Sequence, residues 1–192
     1  MNGYCKLLTL AVVALAMTAT PGWAGSIEGK VTCGAICGNL LIYVEGVPGE
    51  WSGEGEVAIL DQVKKTYVPH VQAILQGTAM RLKNSDPELH NVHAYQGKKT
   101  VFNVAMVPGL SFDMKRFKEP GTFVVLCDIH TEMSAYIVVL DNPFFTQPDG
   151  SGSWAIHDLP PGTYNVVKYD PEERDVVERQ VVVGEGSVEV VF

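Results

Sequence analysis

The heptapeptide Cys127-Asp128-Ile129-His130-Thr131-Glu132-Met133 holds three side chains that bind soft metal ions, and a second imidazole, His90, lies 37 residues upstream. One thiolate, two imidazoles and a thioether make the donor set of an electron-transfer copper centre. The thiolate favours Cu(I), imidazole suits both oxidation states, and a weak axial sulfur helps set the potential. Zinc would accept the Cys and His, but its structural sites use four strong N or S ligands and no Met. A nucleophilic Cys–His pair would need an orienting third group and an oxyanion donor, and the sequence suggests neither.

Such a loop has to be held between strands, and the chain reads as strands throughout. Eleven short β-rich runs, among them 67–75, 100–106, 122–127 and 135–140, are separated by turn signals such as Val107-Pro108-Gly109, Glu119-Pro120-Gly121 and Pro160-Pro161-Gly162. Nineteen Gly and eleven Pro among 192 residues serve these turns. No window beyond the first residues carries a 3.6-residue period, so the expected fold class is all-β, built of antiparallel sandwiches. A single Greek-key sandwich takes about 100 residues, which leaves material here for a second, smaller one.

The first 24 residues read as targeting. One lysine, the apolar run 7–19, and Pro21-Gly22-Trp23-Ala24 follow the order of a secretory signal peptide, and the run is shorter than the ~20 residues that span a bilayer. The expected mature chain, from Gly25, has no membrane span and is periplasmic or secreted. It keeps Cys33, Cys37 and Cys127. In an oxidising compartment Cys33 and Cys37 are close enough in sequence to close a local disulfide, which leaves Cys127 as the thiol to explain. The formal net charge of −8 argues against a nucleic-acid partner. That charge is uneven. Residues 57–140 hold nine Lys and Arg against seven Asp and Glu, whereas the flanks 25–56 and 141–192 hold four against fifteen.

The loop together with His90-Asn91-Val92-His93 and the Gly121-Thr122-Phe123 approach resembles the cupredoxins, most closely their amicyanin branch, over about residues 57–140. The resemblance implies a Greek-key sandwich with one copper per chain, held by His90, Cys127, His130 and an axial Met133. It further implies that Asn91 ties the two ligand loops together and that the ring edge of His130 passes the electron. Asp128 and Glu132 depart from the amicyanin pattern, which has uncharged residues there. A second resemblance is carried by Asp149-Gly150 and by Leu159-Pro160-Pro161-Gly162-Thr163-Tyr164, which look like the carboxypeptidase-regulatory-like, transthyretin-type (Ig-like) sandwich. The expected organisation is a signal peptide at 1–24, a cupredoxin domain at 57–141, and a transthyretin-like module made of 25–56 and 142–192 into which the cupredoxin is inserted. A bacterial plastocyanin-like or methylamine-utilisation family shares this layout.

These readings converge on an exported mononuclear blue-copper protein, not an enzyme. It would carry single electrons between redox proteins such as a c-type cytochrome or a periplasmic dehydrogenase. The alternative is a copper-binding protein for delivery, storage or sensing, and a third reading is a β-sandwich interaction module without functional copper. His93 is expected at the surface or behind a ligand, His70 as a packing residue, His157 in a solvated turn, and Met80, Met106 and Met114 in the core or its rim.

Overall fold

The structure, a computed structural model, describes residues 25–33, 36–115 and 117–192, so the signal peptide expected at 1–24 lies outside the described residues. Sixteen strands and one short 3-10 turn, Cys37–Asn39, make up the described secondary structure. The strands are β1 (Gly25–Lys30), β2 (Leu41–Glu45), β3 (Val57–Gln62), β4 (Tyr67–Val68), β5 (Val71–Leu75), β6 (Ala79–Asn84), β7 (His90–Gln96) and β8 (Lys99–Met106). They continue with β9 (Ser111–Met114), β10 (Gly121–Leu126), β11 (Ser134–Leu140), β12 (Phe145–Thr146), β13 (Ser153–Leu159), β14 (Gly162–Asp170), β15 (Asp175–Val183) and β16 (Ser187–Val191).

Four sheets pack as two sandwiches. A five-stranded sheet in the order β5-β11-β10-β7-β8 faces a four-stranded sheet, β4-β3-β6-β9. Between them lies a core that includes Leu60, Tyr67, Met80, Leu82, Val92, Met106, Phe117, Phe123, Val125, Cys127, Met133 and Ile137. The other pair, β13-β1-β16 and β12-β2-β14-β15, encloses Ile27, Ile42, Val44, Trp154, Ile156, Leu159, Tyr164, Val166 and Val190. Strands β1 and β2 thus pair with strands from the C-terminal part of the chain, and β3 to β11 pair among themselves. A small third cluster, Leu41, Ala73, Val138 and Leu140, lies where β2 meets the outer face of β5 and β11. It explains why β11 is apolar on successive residues: Ala135, Ile137 and Val139 fill one core while Val138 and Leu140 cover the other sandwich.

The sheets are mixed, not purely antiparallel. β1 with β16, β3 with β6, and β5 with β11 are parallel pairs, because strands distant in sequence are brought side by side by crossovers between sheets. The run expected at 67–75 is broken into β4 and β5 at Pro69, which cannot donate to a ladder. Strands β7, β9, β12 and β13 were not among the expected runs. His157 sits exposed within β13, not in a turn, because the strand runs on to Leu159. Met80 and Met106 are fully buried and Met114 packs against them at the rim.

Candidate metal centre

Alternation along two strands brings the donors together. On β7, His90, Val92 and Ala94 point into the core, so His90 enters the interior at the strand's first residue. On β10, Phe123 and Val125 point the same way, and the next inward position falls on Cys127, one residue past the strand. Tyr67, fully buried on β4, sets its hydroxyl against the carbonyls of Asn91 at 2.5 Å and Leu126 at 3.1 Å. It therefore joins the residue after His90 to the residue before Cys127, and burial pushes its phenol far up from its ordinary pKa.

The loop folds back at once. Met133 N–H donates to His130 O at 3.0 Å, Cys127 N–H to Met133 O at 3.2 Å, and His130 N–H to Cys127 Sγ at 3.4 Å. Sequence spacing thereby becomes spatial convergence: His90 Nδ1 lies 2.9 Å from His130 Nδ1, and Cys127 Sγ lies 3.9 Å from that same nitrogen. One donor atom from each of these three residues falls within 4.8 Å of the others. His90 is fully buried and Cys127 is 3% exposed, whereas the side chain of His130 keeps 16% of its surface. Met133 is buried in the same core cluster as Cys127. Among the described residues Cys127 is the free thiol, and Cys33 and Cys37 are joined as a disulfide beside the other sandwich.

Two carboxylates behind the imidazoles decide which nitrogens face inward. Asp86 Oδ2 lies 2.9 Å from His90 Nε2, and Glu88 Oε2 lies 3.2 Å from His130 Nε2. Burial pushes the Asp86 carboxyl up, but N–H bonds from Lys65 and Lys64 and the contact with His90 outweigh it and hold the group below the usual carboxylate range. Lys65 beside Glu88 holds that carboxyl low as well. An ionised carboxylate only accepts, so a neutral ring that binds it through an Nε2 proton would present its Nδ1 lone pair to a metal. The two Nδ1 atoms face each other at 2.9 Å beside a thiol. A cation among them would satisfy that arrangement, and two imidazoles with a thiolate suit copper. The residues present fit the metal that the sequence implied.

Behind the site, Asn91 Oδ1 accepts the Asp128 N–H at 2.7 Å and Asn91 Nδ2 donates to Asp128 Oδ2 at 2.9 Å. The segments that carry His90 and Cys127 are thus stitched in both directions. His93, which faces away from the donors, approaches Asp128 at 3.0 Å and Thr100 Oγ1 at 3.0 Å. His70 sits apart from the site: its Nδ1 meets Ser134 O at 3.0 Å, and Nε2 reaches Glu172 of the other sandwich at 3.4 Å. The sequence reading assigned no role to Asp86, Glu88 or Tyr67. The available signal was the pair of acids two and four residues before His90, on the turn that leads into β7.

No family model matches the chain, and no curated protein matches it either. Among solved structures, the reduced state of an amicyanin point mutant is similar at 19% identity and a TM-score of 0.40, covering 52% of this chain and 98% of amicyanin. A purple cupredoxin from Nitrosopumilus maritimus is 22% identical over 43% of this chain and 99% of its own, with a TM-score of 0.39. A copper-containing nitrite reductase from Thermus scotoductus SA-01 is 24% identical with a TM-score of 0.40. That match covers 44% of this chain and 22% of the reductase, so the chain spans about a fifth of the enzyme's length.

Proposed function

We propose that the chain is an exported type 1 (blue) copper protein that carries single electrons between redox proteins. The observation that carries this reading is the buried convergence of His90 Nδ1, Cys127 Sγ and His130 Nδ1, with both outward ring nitrogens against carboxylates. Met133 would complete the set as a weak thioether donor, supported by its burial with Cys127 and by the tight loop between them. When bound, copper supplies a one-electron couple.

The protein's own part is to hold the donors still. Two anchored strands, a closed seven-residue loop and the Asn91–Asp128 stitch leave little to rearrange between oxidation states. Burial of His90, Cys127 and Met133 leaves His130 as the residue of the set with an edge in solvent. That favours electron exchange through the His130 edge over chemistry at an open coordination position. In this reading residues 57–141 form the copper unit, set into a transthyretin-like sandwich contributed by 25–56 and 142–192. The pairing of β1 and β2 with the C-terminal strands supports the insertion. The Cys33–Cys37 disulfide supports an oxidising, periplasmic or extracellular location for the mature chain. Among the described residues no helix is long and apolar enough to cross a membrane.

The test is the visible spectrum of the copper-loaded protein and of Cys127→Ser, followed by stopped-flow exchange with a c-type cytochrome. An intense thiolate-to-copper band that vanishes with Cys127, together with rapid exchange, supports the carrier. Persistence of the band in the variant refutes the site. Quantitative transfer of copper to a metal-free acceptor without electron exchange would identify a delivery protein instead.

A further inference from the structure

The turn between β6 and β7 does more than supply an acid to the buried His90. Asp86 and Glu88, two residues apart, reach the outward nitrogens of both imidazoles, so one short segment backs two donors from different parts of the chain. This segment is itself firmly placed. Asn84, 2% exposed, donates to the Glu88 carbonyl at 2.8 Å and accepts the Asp86 N–H at 2.9 Å. The β3–β4 hairpin closes on it from the other side. Lys64 and Lys65 both adopt positive φ, at 52° and 57°, which turns their consecutive N–H groups toward the Asp86 carboxylate. The Lys65 ammonium then reaches Glu88 Oε2 at 3.0 Å.

The two acids differ in setting. Asp86 is buried, whereas the Glu88 side chain is 47% exposed, and so is open to substitution without disturbing the core. Its backbone carbonyl, not its side chain, is what Asn84 binds. His130 is the donor most in need of an external hold, because it rides on a loop and has an edge in solvent, while His90 is fixed within a strand.

Building on the copper reading above, the geometry points to Glu88 as a positioning residue. Its carboxylate accepts from His130 Nε2, keeps the ring proton on that nitrogen, and aims Nδ1 at the metal, while Lys65 keeps the carboxylate in place. The β3–β4 hairpin is thereby the outer support of the metal centre, which gives a function to a turn far from Cys127 in sequence. Outer partners of metal-bound His are commonly worth about 10–100-fold in metal affinity, and the exposure of Glu88 puts the expected effect near tenfold.

The experiment compares the full-length protein with Glu88→Ala, Glu88→Gln and Lys65→Met. Nitrogen-15 NMR of the imidazole rings in metal-free protein, at a pH where the rings are neutral, reads the His130 tautomer directly. Competition with a copper chelator reads affinity. The expected result is a His130 ring protonated at Nε2 in the parent and in Glu88→Gln, whose amide oxygen still accepts. Glu88→Ala should give a tautomer mixture and about tenfold weaker copper binding, with Lys65→Met between the two. A parent tautomer retained in Glu88→Ala, or a Glu88→Gln indistinguishable from Glu88→Ala, overturns the proposal. Failure of the parent to bind copper would defeat the copper reading alone, because the tautomer measurement needs no metal.

Discussion

Replacing Tyr67 by Phe removes one oxygen from the centre of the molecule and leaves the ring's shape in place. The hydroxyl is fully buried and lies 2.5 Å from Asn91 O and 3.1 Å from Leu126 O. A hydroxyl has one proton, so the shorter contact is the principal bond and the longer a weaker shared one. Loss of a net hydrogen bond costs about 1 kcal/mol, and stranding buried carbonyls adds a penalty of similar size, so the variant should lose about 2 kcal/mol. Cavity terms are small because no carbon is deleted. With a urea m-value of about 2 kcal/mol/M, the unfolding midpoint of metal-free protein should fall by about 1 M. Far-UV circular dichroism registers both sandwiches. The two described tryptophans, Trp51 and Trp154, pack in the core built on β1, β2 and the C-terminal strands. Their fluorescence therefore follows the other sandwich and should shift less. The same hydroxyl joins the segments that carry His90 and Cys127, so the visible band of copper-loaded Tyr67→Phe should broaden as well. A midpoint within about 0.2 M of the parent with an unchanged m-value would falsify the assignment of a stabilising bond to this hydroxyl.

Three further outcomes are expected. Cys127→Ser should abolish the intense visible band while leaving the far-UV spectrum of a β-protein, because Ser fills nearly the same volume but supplies no soft thiolate. Gly29→Ala should weaken the sandwich that holds β1, since an added Cβ would stand 2.0 Å from Val190 O and 2.8 Å from the Trp154 ring. A loss of about 1–3 kcal/mol is expected in the tryptophan-monitored transition, with the copper band unaltered; a parent-like transition would refute the steric argument. Acid sensitivity is expected from Asp61. Partial burial pushes its carboxyl up, but bonds from Lys83, Ser85 and the Gln62 N–H outweigh this and hold it below the usual range. Its contribution to stability is therefore complete above the unfolded value of about 3.9 and is lost as pH falls through the lower folded value. Asp61→Asn should flatten that part of the stability-versus-pH curve, and an identical acid limb would count against it.

What the sequence disclosed and what it hid follow from the reach of each signal. The approach of Cys127 to His130 was legible because both fall in one loop, where spacing in sequence nearly equals spacing in space. The β class was legible because turn chemistry and β-branched runs are local. Strand β7 was legible only as a strand-like run at His90 and His93, outside the β-rich runs, because His-Asn-Val-His-Ala-Tyr-Gln puts polar residues on both faces: an inward donor on one and the Asp128-binding Asn91 and His93 on the other. Function overrode the alternation that marks a strand. The parallel pairs escaped for a different reason, since register between β1 and β16 or β5 and β11 depends on crossovers that no local window encodes. Asp86 and Glu88 show the same limit at the site. Each is an ordinary acid on a turn until the hairpin at Lys64 and Lys65 and the loop at His130 are folded against it. Donors can be found by residue type, but the groups that aim them are defined only by contacts across the fold. Here those aiming groups concentrate on the single turn between β6 and β7. Substitutions there should consequently disturb the metal centre more than equally conservative changes elsewhere on the exposed surface.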